Sequence, residues 1–523
     1  MIKILLFAII FQSLISCSCS KKNNSTNPPV TDTIIIPKVV DYRPTFHFAP
    51  AFNWTNDPNG LVYYQGAYHL FYQYNPFGTQ WGHMSWGHAT STDLLRWKHE
   101  AVAIMEYTNQ GGSVTGVFSG TAVVDSFNTS GFGTAANPMP LVAVYTSNID
   151  GIAQHQSLAY SLDGKTFTRY ANNPILDINS KEFRDPKIFW HKPTNKWVMI
   201  VSKPDVKKVR FYSSANLKDW TYMSDFGATG NQDRVWECPD IFELPVNNTN
   251  EKKWVITNSA GHPQSGYLAM QYFIGNFDGT TFTSDAITYP LYLDYGKDFY
   301  AGIIYNNLPS SDGRRIMIGW ANCWEYANLI PTTSFRGMMA SPRDLHLKRT
   351  TSGQYILTQM PVAETNNYRG TILYQQDNFS LNNITNDANN IKTDAADIEF
   401  TISRSGATQS GIRLFKNGTE ETNIYYDKSD NTIKLDRNNS GRVTFSSRFP
   451  SVESVPVPPG TSDLKFRILI DKSLVEVFIN DGEQVITDQV FPTKPDAAVQ
   501  FFSTGGNTDF KSVKIYKMNA SML

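Results

Sequence analysis

Asp93-Leu94-Leu95-Arg96-Trp97 is a turn that this chain repeats. An Asp opens it and an aromatic ring closes it four positions later. The form returns as Asp163-Gly164-Lys165-Thr166-Phe167, Asn216-Leu217-Lys218-Asp219-Trp220 and Asp278-Gly279-Thr280-Thr281-Phe282. Asp and Asn side chains accept hydrogen bonds from the backbone two residues on, which reverses the chain. Around these turns lie strand-like runs at 68–74, 141–146, 197–201, 254–257 and 316–320. They recur about every 55–75 residues, more widely than the ~40–50 residues of a typical propeller repeat. Five strand-rich units with few helix-length amphipathic stretches predict an all-β chain, with a five-bladed β-propeller over 42–347. The wider spacing assigns the surplus residues to loops, where function concentrates.

Past residue 347 the period stops. Residues 348–369 are expected as a linker. Residues 370–523 carry short alternating strands such as 397–402 and 474–479, separated by turns rich in Gly, Asn and Asp, and predict a β-sandwich. No acid cluster converges there, so this domain is assigned structural work, with carbohydrate contact as the second reading.

Three segments inside the repeats carry an acid with proline next or one residue later: Trp54-Thr55-Asn56-Asp57-Pro58-Asn59-Gly60, Phe183-Arg184-Asp185-Pro186-Lys187 and Trp236-Glu237-Cys238-Pro239-Asp240. An apolar run follows each. Proline fixes φ and lacks a donor, so it suits a strand entrance and not a strand interior. The three acids are therefore expected at the mouths of three inner strands, converging on the propeller axis. Two carboxyl groups facing one bond are the minimum for glycoside hydrolysis.

Composition narrows the rest. The 523 residues favour two domains, and the net charge of −1 supplies no field for nucleic acid or an anionic membrane. Lys3 followed by an apolar run to Leu14 is too short to span a bilayer and reads as an export signal over 1–19. Residues 20–41 are polar and read as a tether. Of four cysteines, Cys238 and Cys323 fall in the folded part, either bonded to each other or as two buried thiols. The histidines lack metal-ligand spacing, and Phe118-Ser119-Gly120 is not the G-x-S-x-G of a serine hydrolase.

The three acidic segments, in this order and at these separations, resemble the motifs of glycoside hydrolase family 32. The resemblance extends through Tyr68-His69-Leu70-Phe71-Tyr72-Gln73-Tyr74-Asn75-Pro76, Trp81-Gly82-His83-Met84-Ser85-Trp86-Gly87-His88, Phe118-Ser119-Gly120, Gly319-Trp320-Ala321-Asn322-Cys323-Trp324-Glu325-Tyr326 and Pro342-Arg343-Asp344-Leu345. It covers nearly all of the chain after residue 42. It implies a propeller followed by a sandwich, and a retaining β-fructosidase acting on levan, inulin or sucrose. The rival readings are an endo-acting levanase or inulinase, a fructosyltransferase and a non-catalytic fructan-binding lipoprotein.

By the same resemblance Asp57 is the nucleophile, Glu237 the general acid and base, and Asp185 the transition-state stabiliser, with Arg184 beside it. Asn56, Gln73 and Ser119 are implied to bind fructose hydroxyls, and Trp54, Trp81, Phe118 and Trp320 to form an aromatic wall; Trp324 stands close enough to Trp320 to compete for that place. No metal or organic cofactor is implied. Leu14-Ile15-Ser16-Cys17 resembles a lipobox, which implies a lipid on Cys17 and a place in a bacterial envelope. Monomer is the default state, with no nucleic-acid partner.

Overall fold

The computed structural model describes residues 42–521 except 110, 405 and 459. The expected signal, Cys17 and the tether lie outside the described residues. Among the described residues, five sheets form successively along the chain from antiparallel neighbours, as in propeller blades, and Phe335–Arg336 adds to the first of them as a parallel edge. Their inner strands are Asn53–Tyr64, Val114–Val124, Arg184–His191, Glu237–Pro245 and Tyr300–Ile304. The five apolar runs read from the sequence are the second strand of each blade: Ala67–Asn75, Leu141–Ile149, Lys196–Lys203, Lys252–Gly261 and Ile316–Trp320.

The repeated turn does in each blade what its chemistry predicts. The Oδ1 atoms of Asp93, Asp163, Asn216 and Asp278 each accept two backbone N–H groups, two and three residues on, at 2.7–3.1 Å. Each turn sits between a blade's third strand and its outermost one. The ring closes where Asn306, just past the fifth inner strand, bridges to Val62 of the first. Its Nδ2 also donates to the carbonyls of Ala122 and Ile188 at 2.9 and 3.2 Å.

One boundary differs from expectation. Tyr355–Pro361, within the expected linker, is the outermost strand of the fifth blade. It pairs with Arg343–Arg349 across a short turn, and lacks the Asp-to-aromatic signature that marks the other four.

The C-terminal strands form two sheets, one of six strands and one of seven. Phe400, Phe466, Phe501 and Phe510 pack between them, with ring centroids 4.9–6.1 Å apart. Sandwich and propeller share a boundary of buried charge. Arg343 of the fifth blade pairs with Glu476 at 2.8 Å and Asp294 at 2.9 Å. His47 lies 2.8 Å from Glu476 and 2.9 Å from Asp471. Burial lowers the His47 pKa, but the two carboxylates win and raise it to about 9. Removing one partner from such a pair strands a buried charge, at about 3–5 kcal/mol.

Candidate active site

Each of the five inner strands breaks its register near its start. The irregularities fall between Thr55 and Pro58, Val117 and Gly120, Arg184 and Lys187, Glu237 and Asp240, and Tyr300 and Ile303. A bulge inserts a residue, bends the strand and re-aims side chains. Here the re-aimed residues are Asp57, Ser119, Asp185, Glu237 and Tyr300. Asp185, Cys238 and Ala301 adopt positive φ of 65°, 47° and 54°. Such backbone is strained for residues other than glycine and clusters at functional sites. The prolines after the acids thus mark bulges within strands, whose extended pairing begins before Asp57 and Asp185 and at Glu237 itself.

The three acids converge. Asp57 Oδ2 accepts the Ser119 hydroxyl at 2.6 Å, and Oδ1 accepts Asn56 Nδ2 at 3.0 Å. Asp185 Oδ2 accepts the Cys238 backbone N–H at 3.0 Å, while the Asp185 N–H donates to Thr146 Oγ1 at 3.0 Å. The Cys238 thiol stands between them, 3.4 Å from Asp57 Oδ2 and 3.7 Å from Asp185 Oδ2. Glu237 Oε1 receives the Arg184 guanidinium at 2.9–3.0 Å, and Oε2 receives the Tyr300 hydroxyl at 2.6 Å. Arg184 also donates to Gln154 and Glu182.

Burial raises the pKa of Asp57; donation from Ser119, Asn56 and Cys238 opposes it, and the charge of Glu237 adds to it. Burial also carries Asp185 to about 7; Arg184 pulls it down, while Glu237 and Asp57 push it further up. Burial and the surrounding carboxylates hold the Cys238 thiol and the Tyr300 phenol well above their ordinary values, so both remain donors. Cys238 and Cys323 are unbonded, buried thiols.

A cavity of about 700 Å³ opens over the acids, within the range of small-ligand pockets. Its lining contains Asn56, Asp57, Gln73, Trp81, Phe118, Ser119, Arg184, Asp185 and Glu237. Two of the expected wall residues are not there. Trp54 and Trp320 are fully buried, and Trp320 supports Trp324 from behind with centroids 4.8 Å apart. Trp324 lines the cavity. The indole of Trp54 donates to Asn56 Oδ1 at 2.7 Å, so it orients a neighbour of Asp57 without reaching the cavity. Trp320 lies on a strand packed on both faces, whereas Trp324 lies in the loop after it.

The sequence reading passed over Tyr300, Gln154 and Asn148, all of which line the cavity. A signal existed for Tyr300: four blades supply a residue from the bulge level, and the fifth inner strand should do the same. An adjoining cleft of about 570 Å³ also touches Glu237 and Trp324, along with Arg234 and Leu268. Among the described residues no cluster has the make-up of a metal site.

Residues 47–361 match the family described as Glycosyl hydrolases family 32 N-terminal domain, and residues 364–517 match Glycosyl hydrolases family 32 C terminal. The chain is similar to a levanase of Bacillus subtilis (strain 168), 44% identical over 491 residues that cover 91% of this chain and 70% of that one. It is similar to an extracellular exo-inulinase of Aspergillus awamori, 41% identical over 511 residues that cover 91% and 94%. The crystal structure of exo-inulinase from Aspergillus awamori superposes with a TM-score of 0.85 at 39% identity, covering 92% of this chain and 99% of that one. The structure of β-fructofuranosidase from Schwanniomyces occidentalis complexed with fructosyl-erythritol gives 0.84 at 32%, covering 92% and 100%.

Proposed function

The chain belongs to glycosyl hydrolase family 32 and is a glycoside hydrolase, and we propose that it is a retaining β-fructosidase. It removes terminal fructosyl units from levan or inulin, and from sucrose. Asp57, ringed by donors and with no cation within its hydrogen bonds, attacks C2 and forms the fructosyl-enzyme. Glu237, on the boundary between cavity and cleft, protonates the leaving oxygen and then takes a proton from the attacking water. The fructosyl unit sits in the cavity, with the leaving group in the cleft. Asp185 holds hydroxyls of the sugar as positive charge develops, in a cavity lined by five carboxyls and two cations.

The observation that supports exo action is the depth of the acids: Asp57 and Asp185 are buried in the cavity, and of the three only Glu237 also lines the adjoining cleft. Behind the acids, Lys187 Nζ pairs with Asp240 at 3.0 Å and donates to the Ile304 carbonyl at 2.6 Å, closing the axis. A pocket closed at its inner end admits a chain terminus. Product chromatography over time on levan, inulin and sucrose tests this. Fructose alone from the first time point is expected; a ladder of oligomers refutes exo action, and longer sugars from sucrose refute hydrolysis as the main outcome. For the retaining step, Glu237→Ala supplied with azide should release β-fructosyl azide. The α-anomer would exclude a covalent intermediate on Asp57.

Attachment is a separate part of the proposal. Cys17 carries the lipid and holds the enzyme in a bacterial envelope. Its support is the Leu14-Ile15-Ser16-Cys17 sequence. Metabolic labelling with a fatty acid should mark the parent protein and not Cys17→Ala; label in both rejects the assignment.

A further inference from the structure

The propeller axis has a second mouth. At the far ends of the inner strands, on the side away from the acids, lies a cavity of about 680 Å³ that shares no lining residue with the active-site cavity. Asn306 and the Lys187–Asp240 pair fill the axis between the two. Its size falls in the range of small-ligand pockets.

Two kinds of group meet at this mouth. One is aromatic. Phe127 is 67% exposed, and its ring meets Trp190 at 5.3 Å and 45°. Deeper in, Phe189 and Trp254 form a second pair at 5.6 Å and 43°. The other kind is polar. Arg315 lies partly buried, and among the described residues its guanidinium makes one hydrogen bond, to the Arg314 carbonyl at 3.1 Å. Its neighbour Arg314, by contrast, is fully engaged by Asp312 and Glu364. Asn307 spends its Nδ2 on the Tyr63 carbonyl at 2.9 Å and leaves its side-chain oxygen without a protein partner among the described residues.

One exposed ring and three half-buried ones, in one lining with a guanidinium that has unused donors and a free amide oxygen, match the chemistry of a neutral sugar. Its C–H faces stack on rings, and its hydroxyls both donate and accept. A purely apolar ligand would leave Arg315 desolvated and unpaired. We propose that this mouth is a non-catalytic carbohydrate-binding site that holds a short stretch of polysaccharide while the opposite mouth works on a chain end. The class of ligand is a neutral oligosaccharide; naming it fructan rests on the function proposed above.

Phe127→Ala and Trp190→Ala in the full protein test it, since neither residue belongs to the catalytic machinery and Phe127 is exposed enough to leave the fold intact. KM is measured on polymeric levan or inulin and on a fructan trisaccharide. Mobility is followed in native gels containing levan, inulin or a glucan. The expected result is a KM for polymer raised by about twofold to tenfold, an unchanged KM for the trisaccharide, and weaker retardation in the gel. Unchanged polymer KM and retardation in both variants overturn the proposal. So does an equal rise for short and long substrates, which marks distortion passed to the active site. If the parent protein releases no fructose from any substrate, the proposed function fails; the gels still decide whether this mouth holds polysaccharide.

Discussion

The hydroxyl of Tyr300 lies 2.6 Å from Oε2 of Glu237, on the side of the carboxyl group opposite Arg184. Residues from the third and fifth blades therefore fix both oxygens of an acid from the fourth. The phenol is held as a donor by burial and by the very charge it contacts. A hydrogen bond to a charged group is worth roughly 1.5–3 kcal/mol.

Tyr300→Phe removes that donor and nothing else of the ring. Glu237 then keeps the Arg184 contact on Oε1 and loses the one that positions Oε2. kcat should fall by about tenfold to a hundredfold with KM little changed. An unchanged kcat would mean that Tyr300 serves only packing.

Asp185 carries a proton up to about pH 7 in the free enzyme, against about 3.9 in the unfolded chain. The native state binds this proton more tightly, so its contribution to stability is whole below about pH 4 and is lost as pH rises through about 7. Asp185→Asn should therefore abolish activity while raising stability at pH 8 by on the order of 1–2 kcal/mol. The gain should vanish near pH 4. Thermal unfolding of both proteins at the two pH values measures it, and equal gains at both would reject burial as the cause.

Trp320 and Trp324 differ by four positions and by function. Trp320→Ala should destabilise the fold by about 3–5 kcal/mol, as buried Trp truncations do. Trp324→Ala should leave the unfolding midpoint close to that of the parent and raise KM. Denaturant unfolding and steady-state kinetics on both variants separate the two roles; the reverse pattern would exchange them.

Arg437 reaches from the sandwich into the propeller. It pairs with Asp298 at 2.6 Å and donates to the Tyr326 hydroxyl at 2.8 Å, which in turn donates to Asp298 at 2.8 Å. Asp298 stands two residues before Tyr300, and Tyr326 two after Trp324. Arg437→Met should cost about 3–5 kcal/mol by stranding a buried carboxylate, and should lower kcat as the Tyr300 contact loosens. Adding Asp298→Asn should recover part of the stability. A single variant with parent kinetics would confine Arg437 to stability.

Much of this was legible because it rests on local chemistry. An Asx turn needs only its own residues, so Asp93, Asp163, Asn216 and Asp278 announced four blades without any tertiary contact. The last strand of the fifth blade, Tyr355–Pro361, carries no such turn and was read as a linker. The acids were legible through the prolines beside them. Tyr300 has no proline and no neighbouring acid motif, and only its place in the repeat could have exposed it.

The sequence by itself determined the class of fold, the number of blades and the three carboxyls, since turn chemistry, strand patterning and motif order are properties of short segments. Only the tertiary structure decided which ring reaches the cavity, which hydroxyl holds Glu237 and where the sandwich supports the site. A strand alternates its side chains strictly, but a bulge resets that alternation. All five inner strands bulge at the level of the site. Past that point, the direction of a side chain follows from how neighbouring blades pack around the axis.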